Sequence, residues 1–358
     1  MNGRKRDGLV LALAVGALAL LPGAASANTA TKHLLDVYKV EQHVTLTEGQ
    51  QLTGFKVNCN PGDFATDGMW RVDHVSYNPQ VDDQGPYDRN NAVYVPEAYA
   101  SNWDEYTFSV HNHSEDQVQV KFWVVCLGKK TAPDTERHDL TADVTTTHTD
   151  TITGAGVLTG SGGTPCPSGQ VAIAPGYQVT TPAGGHVKLF QSYPDSSQQH
   201  SWNWGFYVED VAGVTIQTSF RCLSLKTVST NSHHHLLKVA FRPSYFGQQT
   251  AVHNKVNALK VDCGELEKGI VGAFDTRYLQ NWDEHFTDQF PTAAGPSDYS
   301  SLDPPASHSN HHWLWYLGQE PQPKSRVFHI WNSDPSTDYQ VRLGLLCIHV
   351  RTTSKIPG

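Results

Sequence analysis

The stretch LGLLCIHVRTTSK, Leu343 to Lys355, has two counterparts upstream: WVVCLGKKTAPD from Trp123 and SFRCLSLKTVST from Ser219. In each, a cysteine (Cys126, Cys222, Cys347) is followed four positions on by a basic residue (Lys130, Lys226, Arg351) and then a threonine (Thr131, Thr227, Thr352). Every second residue before each cysteine suits a strand: Val120, Phe122 and Val124; Ile216, Thr218 and Phe220; Val341, Leu343 and Leu345. Strand side chains alternate between faces. Each of these cysteines therefore ends the buried face of a closing strand.

Reading outward, Cys59 and Cys263 are led by Phe55 and Val57, and by Leu259 and Val261, again at every second residue. Cys166 follows LTGSGGTPC, whose glycines predict a shorter or displaced opening strand. Farther upstream, His33-Leu34-Leu35, His138-Asp139-Leu140 and His235-Leu236-Leu237 share a histidine 26 or 28 residues before the early cysteine. Mid-unit marks SYNP (to Pro79), QSYP (to Pro194) and DQFP (to Pro291) recur in the same order, each followed by tryptophans: Trp103, then Trp202 and Trp204, then Trp313 and Trp315. Weak matches repeated in one order indicate an internal repeat.

The repeat divides the chain into 28–131, 132–228 and 229–358, with a long Pro-, Ser- and His-rich loop near 291–326 in the last unit. Runs rich in Val, Thr, Ile and aromatics, broken by Gly, Pro, Asn and Asp, with no sustained 3.6-residue period, predict an all-β chain. A sheet with one apolar face buries it against another. The expectation is three tandem antiparallel β-sandwich modules, each closed by one disulfide. Six cysteines pair in 15 ways; the repeat favours Cys59–Cys126, Cys166–Cys222 and Cys263–Cys347, while links between modules stay open but leave the repetition unexplained. Closing a loop of that size restricts the unfolded chain by about 4 kcal/mol.

Arg4, Lys5 and Arg6, the apolar or glycine run Gly8–Leu21 and the small residues Ala25-Ser26-Ala27 have the pattern of a secretory leader over residues 1–27. Cleavage is expected between Ala27 and Asn28, giving an extracellular protein without a transmembrane anchor. Loss of the leader shifts the formal charge from −9 to about −11. That sign argues against nucleic acid, whose phosphates need clustered Lys and Arg.

The middle copy, CPSGQVAIAPGY … QSYP … WNWGFYVEDVAGVTIQTSFRC, resembles disulfide-closed β domains found in tandem in bacterial exported proteins. The first copy keeps part of that pattern in CNPGDF, and the third departs from it with CGELEKG. The resemblance implies export and a β fold, and brings no chemistry with it.

Gly-x-Ser-x-Gly, His-Glu-x-x-His, a Walker loop and a dinucleotide glycine pattern are all missing from the sequence. NWDE occurs at Asn102–Glu105 and Asn281–Glu284, which suggests paired carboxylates, but at different distances from the early cysteines. His111 and His113 alternate on a strand-like run, His308, His311 and His312 crowd the loop, and His233, His234 and His235 crowd a linker. None of these groups has a defined set of four metal ligands. Asp82, Asp83 and Asp88 offer oxygens at a spacing that fits no calcium loop. No cofactor is expected. Trp103 and Asp104, with Trp313 and Trp315, are the candidate ligand-binding residues, because aromatic faces beside polar groups suit sugar rings.

The first functional reading is a non-catalytic extracellular binding or adhesion protein, its ligand a glycan or a surface protein. The second is a structural subunit that self-associates by strand addition through HLLDVYKV. The third is a secreted hydrolase using Asp104, Asp283 or a histidine cluster.

Overall fold

The computed structural model describes residues 32–357, apart from 75–92, 113–116, 133–135, 153–155, 162, 182–185, 195–198, 210–212, 245–248, 254, 277–313 and 333–337. The described residues form strands and no helix. The leader segment, residues 1–27, lies outside them.

The first third carries β1 (Val37–Leu46), β2 (Gln51–Asn58), β3 (Phe64–His74), β4 (Val93–Asn102), β5 (Glu105–Asn112) and β6 (Val118–Leu127). The second carries β7 (Ala142–Ile152), β8 (Gly156–Ser161), β9 (Gln170–Thr180), β10 (His186–Pro194), β11 (Trp202–Glu209) and β12 (Val214–Ser224). The last carries β13 (His233–His234), β14 (Val239–Pro243), β15 (Thr250–Ala251), β16 (Lys255–Asp262), β17 (Glu267–Asp275), β18 (Leu314–Gln322), β19 (Ser325–Asn332), β20 (Tyr339–Gln340), β21 (Arg342–His349) and β22 (Ile356–Pro357). Of the stretch 291–326 read as a loop, residues from Leu314 onward are therefore mostly strand: Trp315, Gly318 and Glu320 pair with β19 across a tight turn.

Each third has two three-stranded layers that face each other. The front layers run β1-β6-β3, β7-β12-β9 and β14-β21-β17, and the back layers β2-β5-β4, β8-β11-β10 and β16-β19-β18. Each front layer then continues by hydrogen bonds into the back layer of another third, giving three six-stranded sheets: β1-β6-β3-β18-β19-β16, β7-β12-β9-β4-β5-β2 and β14-β21-β17-β10-β11-β8. The joins are short: Arg71 opposite Gly318, Glu97 and Ala98 opposite Gln178 and Tyr177, Gln191 and Ser192 opposite Asp275 and Phe274. The thirds thus share their sheets around a pseudo-threefold axis.

The closing strands β6, β12 and β21 are the middle strands of the front layers. The opening halves of β6 and β12 alternate in burial, and all three strands are buried on both faces toward the cysteine, as in BiBiBBBBBB for β6 and iBBBBBBi for β21. The Val- and Phe-rich composition fits that half-buried, then fully buried setting. The cystines Cys59–Cys126, Cys166–Cys222 and Cys263–Cys347 tie the back layer to the front layer within each third. The pairing expected from the repeat is the one present.

At the axis, Thr66, Ile173 and Ile270 take equivalent positions next to the cysteine-paired residues Ala65, Ala172 and Gly269. All three are fully buried, and the Thr66 hydroxyl lies 3.0 Å from the carbonyl oxygen of Ile270. Trp70, Tyr177 and Phe274 form the next layer, with Trp70 edge-on to Tyr177 at 6.1 Å. A small cavity of about 20 Å³ lies among them beside Asp67 and Gly272, enough for about one water.

Candidate functional site: four histidines at the joints

The basic-residue–threonine signature is where one third is fastened to the next. Thr131 Oγ1 accepts the His138 backbone N–H, Thr227 Oγ1 that of His235, and Thr352 Oγ1 that of His33, each at 3.0 Å. In return, the Thr131, Thr227 and Thr352 backbone N–H groups donate to the His138, His235 and His33 carbonyls at 3.1, 3.0 and 2.9 Å. The next residues, Ala132, Val228 and Thr353, bond back to Leu34, Asp139 and Leu236, the residues that follow the three histidines. The last joint brings Thr352 back to His33, so the ring closes.

This ladder explains the local sequence. The leucines Leu35, Leu140 and Leu237 point inward and are buried, whereas Leu34 and Leu236 face out. Lys130, Lys226 and Arg351 are exposed and contribute their backbone to bridges with Asp139, Leu236 and Leu34. The threonines are buried because their hydroxyls satisfy backbone donors at the joint.

The same ladder turns His33, His138 and His235 toward each other. One ligand atom from each lies within 4.8 Å of the others, and all three rings are fully buried. Ring centroids are 5.1 Å apart for His33–His138, 4.5 Å for His33–His235 and 4.8 Å for His138–His235. His233, only 8% exposed, closes the group, with its Nε2 3.1 Å from Nε2 of His138.

The backbone fixes the rings. His138 Nδ1 lies 3.0 Å from the Val228 carbonyl oxygen, and His235 Nδ1 lies 2.8 Å from that of Thr353. His233 Nδ1 is 3.2 Å from the carbonyl oxygen of Asn231, a residue with positive φ in the turn after β12. His33 lies against the equivalent carbonyl, that of Ala132, but neither of its ring nitrogens closes a hydrogen bond. Nε2 of His235 is also buried without a partner. Burial, then the neighbouring imidazoles, hold the His33 pKa below the usual histidine range. Burial also lowers that of His235, against the pull of the Thr353 carbonyl. His33 and His235 are thus neutral rings at neutral pH, with lone pairs to offer. Glu136, paired with Lys355 at 2.9 Å, places a carboxylate near His33 and His233.

The sequence reading counted His233, His234 and His235 as a linker run and treated His33, His138 and His235 only as repeat markers. The missed signal was the repetition itself: a polar residue at one position of every unit meets its copies if the units close around an axis. Cys263, Glu267 and Cys347 also cluster, but both sulfurs belong to a cystine, and Glu267 is held by Arg242 and the Gly264 N–H.

Of the ligand-binding candidates chosen from sequence, Trp103 and Asp104 lie in full within the described residues. Trp103 is 36% exposed in the β4–β5 turn, with the Arg221 guanidinium 4.7 Å from its ring centroid. Asp104 accepts the Gly62 backbone N–H at 3.3 Å, which ties that turn to the segment after Cys59. His111 lies edge-on to Tyr94 at 5.9 Å in the same layer. His113, His308, His311, His312 and Trp313, with the second NWDE and Asp82, Asp83 and Asp88, fall outside the described residues, as does the Trp315 side chain. No helix of the described residues is long and apolar enough to cross a membrane. Three cystines are typical of extracellular proteins. No protein-family model and no curated protein matches the chain.

Proposed function

We propose that the chain is a secreted, non-catalytic binding or adhesion protein whose ring of β layers holds binding loops. The supporting observation is a division of labour. The residues repeated in every third are spent on cystines, joints and the axis. The connections between front and back layers have one topology but unequal lengths: about 18 residues between β3 and β4, five between β9 and β10, and about 38 between β17 and β18. Loops positioned by a rigid scaffold commonly carry recognition. The two long connections contain Tyr77, Tyr87, Trp282, Phe286, Tyr299 and Trp313 among Asp, Ser and His. Aromatic side chains with short polar neighbours suit contact with sugar rings or protein surfaces. The leader pattern and the cystines support export.

The test is a glycan array with pull-down on cell-surface polysaccharide and protein. It uses the full chain and a variant with 79–90 and 284–310 replaced by Gly-Ser linkers. Retention by the full chain, lost in the variant with its melting temperature kept, supports the reading. Equal retention by both, or none by either, overturns it.

A further inference from the structure

We propose that His33, His138, His235 and His233 hold one divalent transition-metal ion of the zinc class, which cross-links the three joints of the ring. The inference stands independently of what the loops bind.

A neutral imidazole carries one N–H, and only a donor can face a carbonyl oxygen at hydrogen-bond distance. In His138, His235 and His233 the nitrogen facing a carbonyl is Nδ1. Their Nε2 atoms are then bare lone pairs. Two of them, on His138 and His233, face each other at 3.1 Å. An extra proton would relieve that one contact. It would leave the buried Nε2 atoms of His33 and His235 with nothing to bind. A buried ring nitrogen left without a partner is destabilising. A single cation among them would satisfy His33, His138 and His235, whose ligand atoms lie within 4.8 Å of one another, and would meet His233 beside His138.

The dimensions agree. Zinc–nitrogen bonds of about 2.0–2.1 Å in a tetrahedron place the nitrogens about 3.4 Å apart and the ring centroids about 5 Å apart. The rings of His33, His138 and His235 are 4.5–5.1 Å apart between centroids, and that of His233 is 4.7 Å from His138 and 5.4 Å from His235. Carbonyls on Nδ1–H supply the outer support that metal-bound histidines use. Four imidazole nitrogens select zinc, copper, nickel or cobalt over magnesium or calcium, which require oxygen ligands. Four protein ligands complete a tetrahedron, so the ion would be structural. Glu136 would offset part of its charge.

The experiment uses the untagged full chain, stripped with EDTA, reloaded with zinc and dialysed. Metal content, melting temperature and the visible bands of the cobalt(II) form are then measured. One zinc per chain, tetrahedral cobalt bands and a melting temperature raised by about 5 °C or more on reloading are expected. His138→Asn and His233→Ala should each weaken zinc binding at least ~10-fold. His253→Ala, at an exposed histidine, should leave it unchanged. His233 makes none of the threonine joints, so its variant remains informative if His138→Asn fails to fold. Less than about a tenth of an ion per chain with no thermal shift overturns the proposal. So does unchanged one-to-one binding in His233→Ala together with octahedral cobalt bands in the wild type.

Discussion

The histidine end of the axis and its interior solve the same problem in opposite ways. At the joints, three copies of one hydrogen-bond pattern recur with a 3.0 Å threonine contact each time. In the interior, three equivalent positions opposite Val57, Gly160 and Val261 carry Tyr106, Trp204 and Arg326. All three are buried and all three reach toward a neighbouring third, each with different chemistry. The Tyr106 hydroxyl donates to the Pro175 carbonyl, Trp204 lines the axial cavity, and Arg326 pairs with Asp67 at 2.6 Å. Asp67 itself has Ala174 and Val271 as its equivalents. Backbone hydrogen bonds can be tripled without penalty. A carboxylate tripled at the axis would repel its copies in a low-dielectric setting. Symmetry therefore holds where the backbone makes the contact and fails where charge does.

The largest expected effect tests the charged side of that contrast. Asp67→Ala leaves Arg326 charged and buried, and should cost about 3–5 kcal/mol in urea unfolding with the cystines intact. Adding Arg326→Met should recover most of it. A loss no larger than that of a single joint would erase the distinction.

The pH dependence of the pair comes next. Burial raises the Asp67 pKa to about 6, against the attraction of Arg326 and the Gly272 N–H. Its unfolded value is about 3.9. The folded state therefore holds the proton more tightly. The contribution is fully present below about pH 4 and is lost as pH rises through about 6, by up to about 3 kcal/mol. Asp73 and Glu267, whose pKa values are lowered in the folded state, act in the opposite direction. The quantity to measure is thus the stability difference between wild type and Asp67→Asn from pH 4 to 7. A flat difference contradicts the assignment.

Gly68→Ala probes the tyrosine version of the contact. A Cβ there would lie 2.0 Å from the Tyr106 ring, whereas at Gly160 it would meet nothing within 4 Å. The first should cost about 1–3 kcal/mol and the second far less, read as thermal shifts.

The smallest effects sharpen the symmetric side. Thr131→Val, Thr227→Val and Thr352→Val should each cost about 1 kcal/mol, and by the same amount. Unequal losses would show that the three joints are not equivalent.

Much of the fold was legible because the repeat writes its joints and cystines three times. Alternation before Cys126, Cys222 and Cys347 located the closing strands. Sharing of sheets between thirds was not legible, since pairings such as Glu97–Gln178 and Ala98–Tyr177 are short backbone contacts that demand no particular side chain. The strands β18 and β19 were hidden by a Pro-, Ser- and His-rich stretch that dominates the composition before Leu314. The histidine cluster was half legible: the residues were marked, but their meeting depends on ring closure, which is a property of the fold and of no single segment. Trp103 stood out for its polar neighbours, and the Arg221 guanidinium over its ring comes from another third and left no trace nearby in sequence.

The joint between His33 and Thr352 sets the two ends of the described chain side by side, with β22 paired to β13. Where the chain is cut thus matters less than that the ring is whole. A short peptide linking residue 357 to residue 32, with a new opening at 133–135 or at Ser229–Asn231, should yield a permuted protein with the same three cystines.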